Sequence, residues 1–347
     1  MLFRHFRGHL YAEALLAVGL VTLFAAIFPQ HPAVRQLTTT MPFAQFVAFL
    51  APVSLCVCVL GVVLAVLAHY PVRSFRLWVA SVVWIISGII FALAPAGFYF
   101  PERAPAIEAQ AAAADDGAGR SIRIMTFNTQ GAFTKNDLET IFSEYDPDIL
   151  VLPETPHRDL VRYVADLDYP GYVRGTPPWG RLKQFADQVA PTTVIVNNRL
   201  GHSRLVEGPI TRSGTVSLEF DDPGLPRIIG LHTASPKPGL MDVWRADLNR
   251  SVAYGEDFDA PIIMAGDFNA TLRHGPMARR SALLDAARQC DHFPGGTWPA
   301  ASPASLRAQI DHVFITAPLQ ATDCAVHRIG DSDHAAFITT IRVPETA

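Results

Sequence analysis

The chain has 347 residues, half of them hydrophobic and only 17% charged, with a mean hydropathy of +0.21 and a formal net charge of −4. It is long for one domain and too apolar for an ordinary soluble protein. The acidic balance disfavours a protein that grips nucleic acid nonspecifically, and four cysteines without a CxxC pair give no sign of a structural zinc.

The apolar excess lies in residues 1–100. Leu10–Phe28 carries one acid, Glu13, near its start, and Phe46–Ala68 and Leu77–Tyr99 carry no charge at all. Each approaches the ~20 residues that cross a bilayer. The first alone would also suit a cleaved signal peptide. Two further spans behind it make an anchor of three transmembrane helices the better expectation. Arg4 and Arg7 precede the first span, Arg73 and Arg76 separate the second from the third, and Arg35 stands alone between the first two. The positive-inside rule then puts the N-terminus and the Tyr70–Arg76 loop in the cytoplasm. Everything after Tyr99 is expected on the far face, periplasmic or extracellular, with the chain multi-pass in the inner membrane. Cys56 and Cys58 fall inside the second span as apolar lining. Cys290 and Cys324 fall in the exported part, where a disulfide is permitted but not shown by the sequence.

Residues 101–120 are rich in Ala, with Pro, Gly and acids but no apolar periodicity, and are expected to form a flexible linker. From 121 to 347 strand and helix patterns alternate. Ser121–Asn128, Asp148–Pro153, Thr192–Asn197, Gly214–Phe220, Arg227–His232, Ile262–Ala265, Gln309–Thr316 and Ala335–Val343 read as strands. Lys135–Tyr145, Asp159–Leu167 and Met241–Tyr254 have helical spacing. Packed sheets with helices outside would bury this many strands. Acids outnumber bases in this part as well.

Polar residues recur where these strands end. The stretch Pro261–Thr271 runs apolar to Gly266 and then gives Asp267, Phe268 and Asn269. On an extended chain residues two apart point the same way, so Asp267 and Asn269 would stand together while Phe268 faces the core. Asn128 closes the first strand. Glu154 follows a buried apolar run with Pro on both sides, a costly place for an acid unless it meets water or a cation. His232 ends another strand and by itself suits a structural role. Asp311 opens a strand beside His312, as an acid that orients an imidazole would. Asp333 and His334 precede the last strand, a run equally suited to a solvated turn.

Taken in order, TFN, PE, LHTASP, GDFNAT, GGTWP, IDHVFIT and SDH resemble the endonuclease/exonuclease/phosphatase superfamily, the DNase I-like fold, over about Ser121–Val343. The resemblance implies a four-layer α/β/β/α sandwich and cleavage of phosphoester bonds with Mg2+, or Mn2+. It implies that Glu154 is the main metal-binding carboxylate, with Asn128 and Asp333 beside it. Asp267 and Asn269 would position the attacking water and the phosphate, His334 would be the catalytic histidine oriented by Asp311, and His232 would contact the phosphate or assist the leaving group. Trp298 falls in the family's TW segment, where packing is expected. Gln130 and Pro153 depart from an acid and a Gln common in relatives. The three-span anchor also resembles bacterial membrane phosphatases related to the teicoplanin-resistance protein, implicated in polyprenyl pyrophosphate metabolism.

A tethered phosphohydrolase meets lipid headgroups at high effective concentration. The expected substrate is therefore a lipid phosphate or pyrophosphate at the membrane surface. Arg174, Arg181 and Lys183, with Trp179, and Lys237 are candidate headgroup contacts, although surface solvation suits each one as well. The alternatives are a membrane-tethered exported nuclease and an inactive phosphate-binding scaffold. No protein partner can be inferred.

Overall fold

The computed structural model describes residues 2–70, 74–93, 119–185, 189–290 and 293–344. The expected linker lies outside these residues over 101–118, as do Arg73 and the stretch 94–99. The chain divides into two compact units, Met1–Pro101 and Glu102–Ala347.

In the first unit, helices α1 (Leu2–Ile27), α4 (Leu50–His69) and α5 (Phe75–Leu93) are each long and apolar enough to cross a membrane. Two short helices, α2 (Pro32–Leu37) and α3 (Phe43–Ala48), connect α1 to α4. The second span thus starts at Leu50 rather than Phe46. Small residues set the contact between α4 and α5: a Cβ on Gly88 would lie 2.4 Å from the Cys58 sulfur, and one on Gly61 2.6 Å from Ile85. Glu13, the lone acid of the first span, forms an ion pair with Arg76. The Trp84 indole donates to the Leu15 carbonyl at 3.0 Å, which ties α5 to α1.

Among the described residues, the second unit contains two six-stranded sheets. The first has the order β11 (Gln320–His327), β12 (Ala336–Pro344), β1 (Gly119–Thr126), β2 (Ile149–Leu152), β4 (Thr193–Asn197) and β3 (Gly171–Gly175). The second runs β5 (Ser203–Val206), β6 (Thr215–Phe220), β7 (Arg227–His232), β8 (Ile262–Asp267), β10 (Asp311–Ile315) and β9 (Leu284–Asp285). Gly119 and Arg120, the end of the expected linker, already belong to β1.

The alternation of side chains builds the sandwich. Ile122, Ile124, Ile149, Val151, Val194 and Val196 of the first sheet share one core with Val216, Leu218, Ile228, Ile263, Val313 and Ile315 of the second. The intervening residues Met125, Leu150, Leu152 and Ile195 point the other way, into a second core with Leu138 and Ile141 of α6 (Lys135–Glu144) and Leu160 and Val164 of α7 (His157–Asp166). α6 starts on a capping box between Thr134 and Asp137. Helix α8 (Met241–Glu256) is tied to the second sheet's side through Tyr254 and Arg250. Gly230 lies on an inward position of β7, where a Cβ would come within 2.7 Å of Val194 in the facing sheet. Cys290 and Cys324 form a disulfide.

Candidate active site

The site lies at one end of the layer between the sheets. The inward positions of β7 and β8 are apolar until the last, His232 and Asp267, and those of the antiparallel β10 are apolar after the first, Asp311. Strand register sets these three side by side: His232 pairs with Asp267 across the parallel β7–β8 ladder, and Asp267 with Asp311 across the antiparallel β8–β10 ladder. From the first sheet, Asn128 continues the inward alternation of β1. His334 arrives from the turn before β12. All five are buried, with Asp311 at 0% and Asp267 at 1% exposure.

Hydrogen bonds fix the group. Asp311 Oδ2 accepts from His334 Nδ1 at 2.8 Å. Asn128 Nδ2 donates to Asp267 Oδ2 at 2.9 Å and reaches Glu154 Oε1 at 3.3 Å. Its Oδ1 accepts the Gln130 amide at 3.0 Å, so Asn128 presents nitrogen, not oxygen, to the carboxylates. The Asn269 amide donates to Asp267 Oδ1 at 2.7 Å, and Asn269 Nδ2 lies 3.2 Å from His232 Nε2. Ser332 ties Asn128 to the His334 turn within the first sheet: its hydroxyl donates to the Asn128 carbonyl at 2.7 Å and accepts the His334 amide at 3.1 Å.

Two positions depend on left-handed backbone. Glu154 has φ +59° and Asn269 φ +48°. Asp267 and Asn269 do stand together while Phe268 is buried, but not through extended alternation: β8 ends at Asp267 and the chain turns at Asn269. Asn is among the residues that tolerate this conformation.

The electrostatics follow from burial and crowding. Burial, then the neighbouring Asp311 charge, pushes the Asp267 carboxyl up to about 7. Burial opposes a charged His334, but Asp311, by charge and hydrogen bond, together with Asp267 and Asp333, outweighs it and raises this imidazole to about 9. His232 moves the other way, down to about 3, through burial first and then the positive charges of His334, Arg212 and Arg181. The Asn269 amide nitrogen faces only acceptors otherwise, the Thr233 carbonyl and Asp267. His232 Nε2 is therefore assigned as an acceptor, which leaves its proton on Nδ1.

The donor set suits a hard cation. Asp311 Oδ1 and Asp333 Oδ1 are buried without a hydrogen-bond partner, and Asp267, Asp311 and His334 each offer a ligand atom within 4.8 Å of the others. Asp311 Oδ2 and His334 Nδ1 are already spent on each other at 2.8 Å. Glu154 and Asp333, with side chains 27% and 40% exposed, are the acids open to an incoming ion. Oxygen ligands of this kind suit Mg2+ or Mn2+.

The other expected contacts spread out. Arg174 donates to the Ser203 carbonyl at 3.1 Å and lies over the Tyr172 ring, bracing β3 against β5. Lys183 and Lys237 are exposed, and no described hydrogen bond or ion pair joins either to the acids and imidazoles. Arg181 alone of the four lies near enough for its charge to act on His232. Sequence reasoning missed Arg212, Asp247 and Ser332, and gave Trp298 packing only. The Trp298 indole in fact donates to Asp333 Oδ2 at 2.9 Å. The signal for Ser332 was its place inside SDH. Arg212 and Asp247 carry no motif.

The Endonuclease/Exonuclease/phosphatase family model matches residues 125–334, and the chain belongs to that family. Its members are generally metal-dependent hydrolases of phosphoesters. No curated protein matches the sequence. Among solved structures it is similar to a humanized D. rerio TDP2, at 17% identity and TM-score 0.49, over 64% of this chain and 98% of that one. It is also similar to an endonuclease/exonuclease/phosphatase from Beutenbergia cavernae DSM 12333, at 19% identity and TM-score 0.47, over 65% and 72%. A Bacteroides thetaiotaomicron protein of the same family gives 13% identity and TM-score 0.48, over 65% and 99%.

Proposed function

We propose that this chain is a Mg2+- or Mn2+-dependent hydrolase of a lipid phosphoester or pyrophosphate, working at the extracytoplasmic face of the membrane that holds it. The observation that carries this is the register of β7, β8 and β10, which lines up His232, Asp267 and Asp311 with His334 closing on Asp311. The three apolar helices support a membrane lipid as substrate. The basic residues around them and the Cys290–Cys324 disulfide support an oxidising far side.

Glu154 would hold the cation, with Asp333 as a further carboxylate and Asn128 contributing after its amide turns. When bound, the ion would neutralise charge on the phosphate oxygens. Asp267, with its carboxyl near 7, is set to take the proton of the attacking water. Asn269 and Asn128 fix its two oxygens. His334, kept charged by Asp311, holds a positive charge beside it. His232 stays neutral and orients against Asn269.

The test is phosphate release by the purified full chain from polyprenyl pyrophosphate, phospholipids and oligonucleotides, with Mg2+ or EDTA. Release from lipid phosphates that EDTA stops, and that Glu154→Ala and His334→Ala abolish, supports the proposal. Soluble nucleotides alone would make it a nuclease. No release from any of them would make it a scaffold.

A further inference from the structure

Large apolar side chains left in water are not scattered over the second unit. Among its described residues, Trp179, Ile210, Leu306 and Val161 are the ones well exposed, and Val161 lies on α7. Single exposed apolar residues are ordinary on a protein surface, but the other three all fall on loops at the active-site end. Trp179 follows β3, whose last residue, Gly175, shares Thr193 as a ladder partner with Leu152, two residues before Glu154. Ile210 lies between β5 and β6, and β6 begins at Thr215 beside Leu231, the residue before His232. Leu306 lies in the segment before Asp311, the first residue of β10.

Hydrogen bonds hold these loops on the two flanks of the site. The Leu182 amide donates to the Thr211 carbonyl at 3.0 Å and the Thr215 amide to the Gly180 carbonyl at 2.9 Å, so the Trp179 and Ile210 loops are laced together on the His232 side. On the Asp311 side, the Arg307 guanidinium donates to the Ala300 carbonyl at 2.8 Å and the Ala300 amide to the Asp333 carbonyl at 2.7 Å, which ties the Leu306 segment to the turn that carries His334. Where the chain enters the sandwich matters as much. β1 starts at Gly119 and runs toward Asn128, about 30 Å away at ~3.3 Å per residue, so the connection from the apolar helices arrives at the end remote from the site. A chain as long as residues 94–118 spans at most about 90 Å, which lets either end of the sandwich reach a bilayer. That attachment does nothing to turn the site end toward one.

We propose that Trp179, Ile210 and Leu306 form an apolar rim that enters the interfacial layer of the bilayer holding this chain and so turns the active site onto membrane lipid. An indole suits that layer because its ring is apolar and its N–H is polar, and the two aliphatic side chains leave water on the same contact. The bilayer is the occupant that the chain itself supplies, through three helices long and apolar enough to cross one. The proposal deepens the lipid phosphohydrolase reading above and rests on it for what is hydrolysed there.

The test is lipid quenching of a fluorophore carried by the full chain in phosphatidylcholine vesicles. Cys56→Ala and Cys58→Ala remove the free thiols and leave the Cys290–Cys324 disulfide. An environment-sensitive fluorophore is then attached through Trp179→Cys, Ile210→Cys or Leu306→Cys. The controls are Val161→Cys, similarly exposed but on α7, and His202→Cys, exposed just before β5 at the opposite end. A nitroxide carried on the lipid near its headgroup is expected to quench the rim labels several-fold more than either control. Every labelled position is exposed, and any two rim positions decide if one labelled chain fails to fold. Ile210→Ser with Leu306→Ser is expected to weaken quenching at position 179. Quenching unchanged by that pair, or equal at rim and control positions, overturns the rim. Blue-shifted emission at the rim without nitroxide quenching would mean that protein covers it, a second copy or another partner, and overturns it as well. None of these readings depends on turnover. Rim quenching in a chain that hydrolyses nothing keeps the membrane contact and overturns the phosphohydrolase reading, and lipid hydrolysis without rim quenching does the reverse.

Discussion

Asp267 shows what a buried carboxyl beside a second acid costs the fold. Its carboxyl is buried, lies in register with Asp311, and is held near 7 by those two facts. Ionising it costs the fold, since burying charge without full compensation is unfavourable. Asp267→Asn keeps the shape and removes the charge. The new NH2 must face a donor that met a carboxylate oxygen, which offsets the gain from removing the charge, so the melting temperature at pH 8 is expected to stay close to the parent's while turnover falls by ~10^2-fold or more, the usual weight of a lost general base. A clear drop in melting temperature would show that the carboxylate supports the fold. His334 gives a second, opposite-signed test. Its folded value of about 9 lies above the ordinary 6.5, so the Asp311–His334 pair stabilises fully below about 6.5 and that contribution is lost as pH rises through about 9. Thermal melts between pH 6 and 10 should show the parent losing more stability across that window than His334→Gln. Identical slopes would mean that the imidazole is not charged in the fold. These residues were legible in the sequence as strand-end polar positions. Their hydrogen-bond roles were not: that Asn128 turns its nitrogen inward is decided by the Gln130 amide, and no sequence pattern announces it.

At the scale of the element, the strands that the sequence announced and those that it hid divide cleanly. β1, β2, β4, β6, β7, β8, β10 and β12 lie inside their sheets and were read from their apolar runs. β3, β5, β9 and β11 were not read, and these are the edge strands of the two sheets. An interior strand is covered on both faces, as in β2 and β8, where every residue is buried. An edge strand such as β11 alternates poorly between buried and exposed and looks like a loop. Glu154 and Asn269 were legible as residues but not as left-handed turns. Gly266 is the element-level residue on which the site depends. With φ +150°, a Cβ there would lie 1.8 Å from the Leu231 carbonyl oxygen. Leu231 is its partner in the β7–β8 ladder, one step before the His232–Asp267 pair. Gly266→Ala must therefore push β7 and β8 apart where the imidazole meets the carboxylate. Destabilisation of about 1–3 kcal/mol is expected, with turnover reduced more than the folded fraction explains. Urea titration beside an activity assay measures both, and a variant that matches the parent in each would show that the ladder accommodates the methyl group.

At the scale of the whole molecule, the three long apolar helices were legible because a run of apolar residues needs no partner to be recognised, whereas the cross-link between the sheets depended on tertiary proximity. Cys324 sits on β11, an edge of the first sheet, and Cys290 follows the short helix after β9, an edge of the second. The disulfide closes a loop of sequence separation 34 and fastens the two sheets at edge strands that have no further strand to pair with. Closing a loop of that length is expected to stabilise the fold by about 2–4 kcal/mol, so reduction should lower the melting temperature of the detergent-solubilised chain. The same bond reports on the compartment. If the catalytic unit lies on the far side of the membrane, cells lysed into a thiol alkylator without reductant should yield chain labelled at Cys56 and Cys58 only once denatured. Cys290 and Cys324 should then be labelled only after reduction. Chain that takes up label at all four cysteines without reductant would place the unit in the reducing cytoplasm. It would overturn the orientation drawn from Arg4, Arg7, Arg73 and Arg76, together with the choice of an extracytoplasmic substrate.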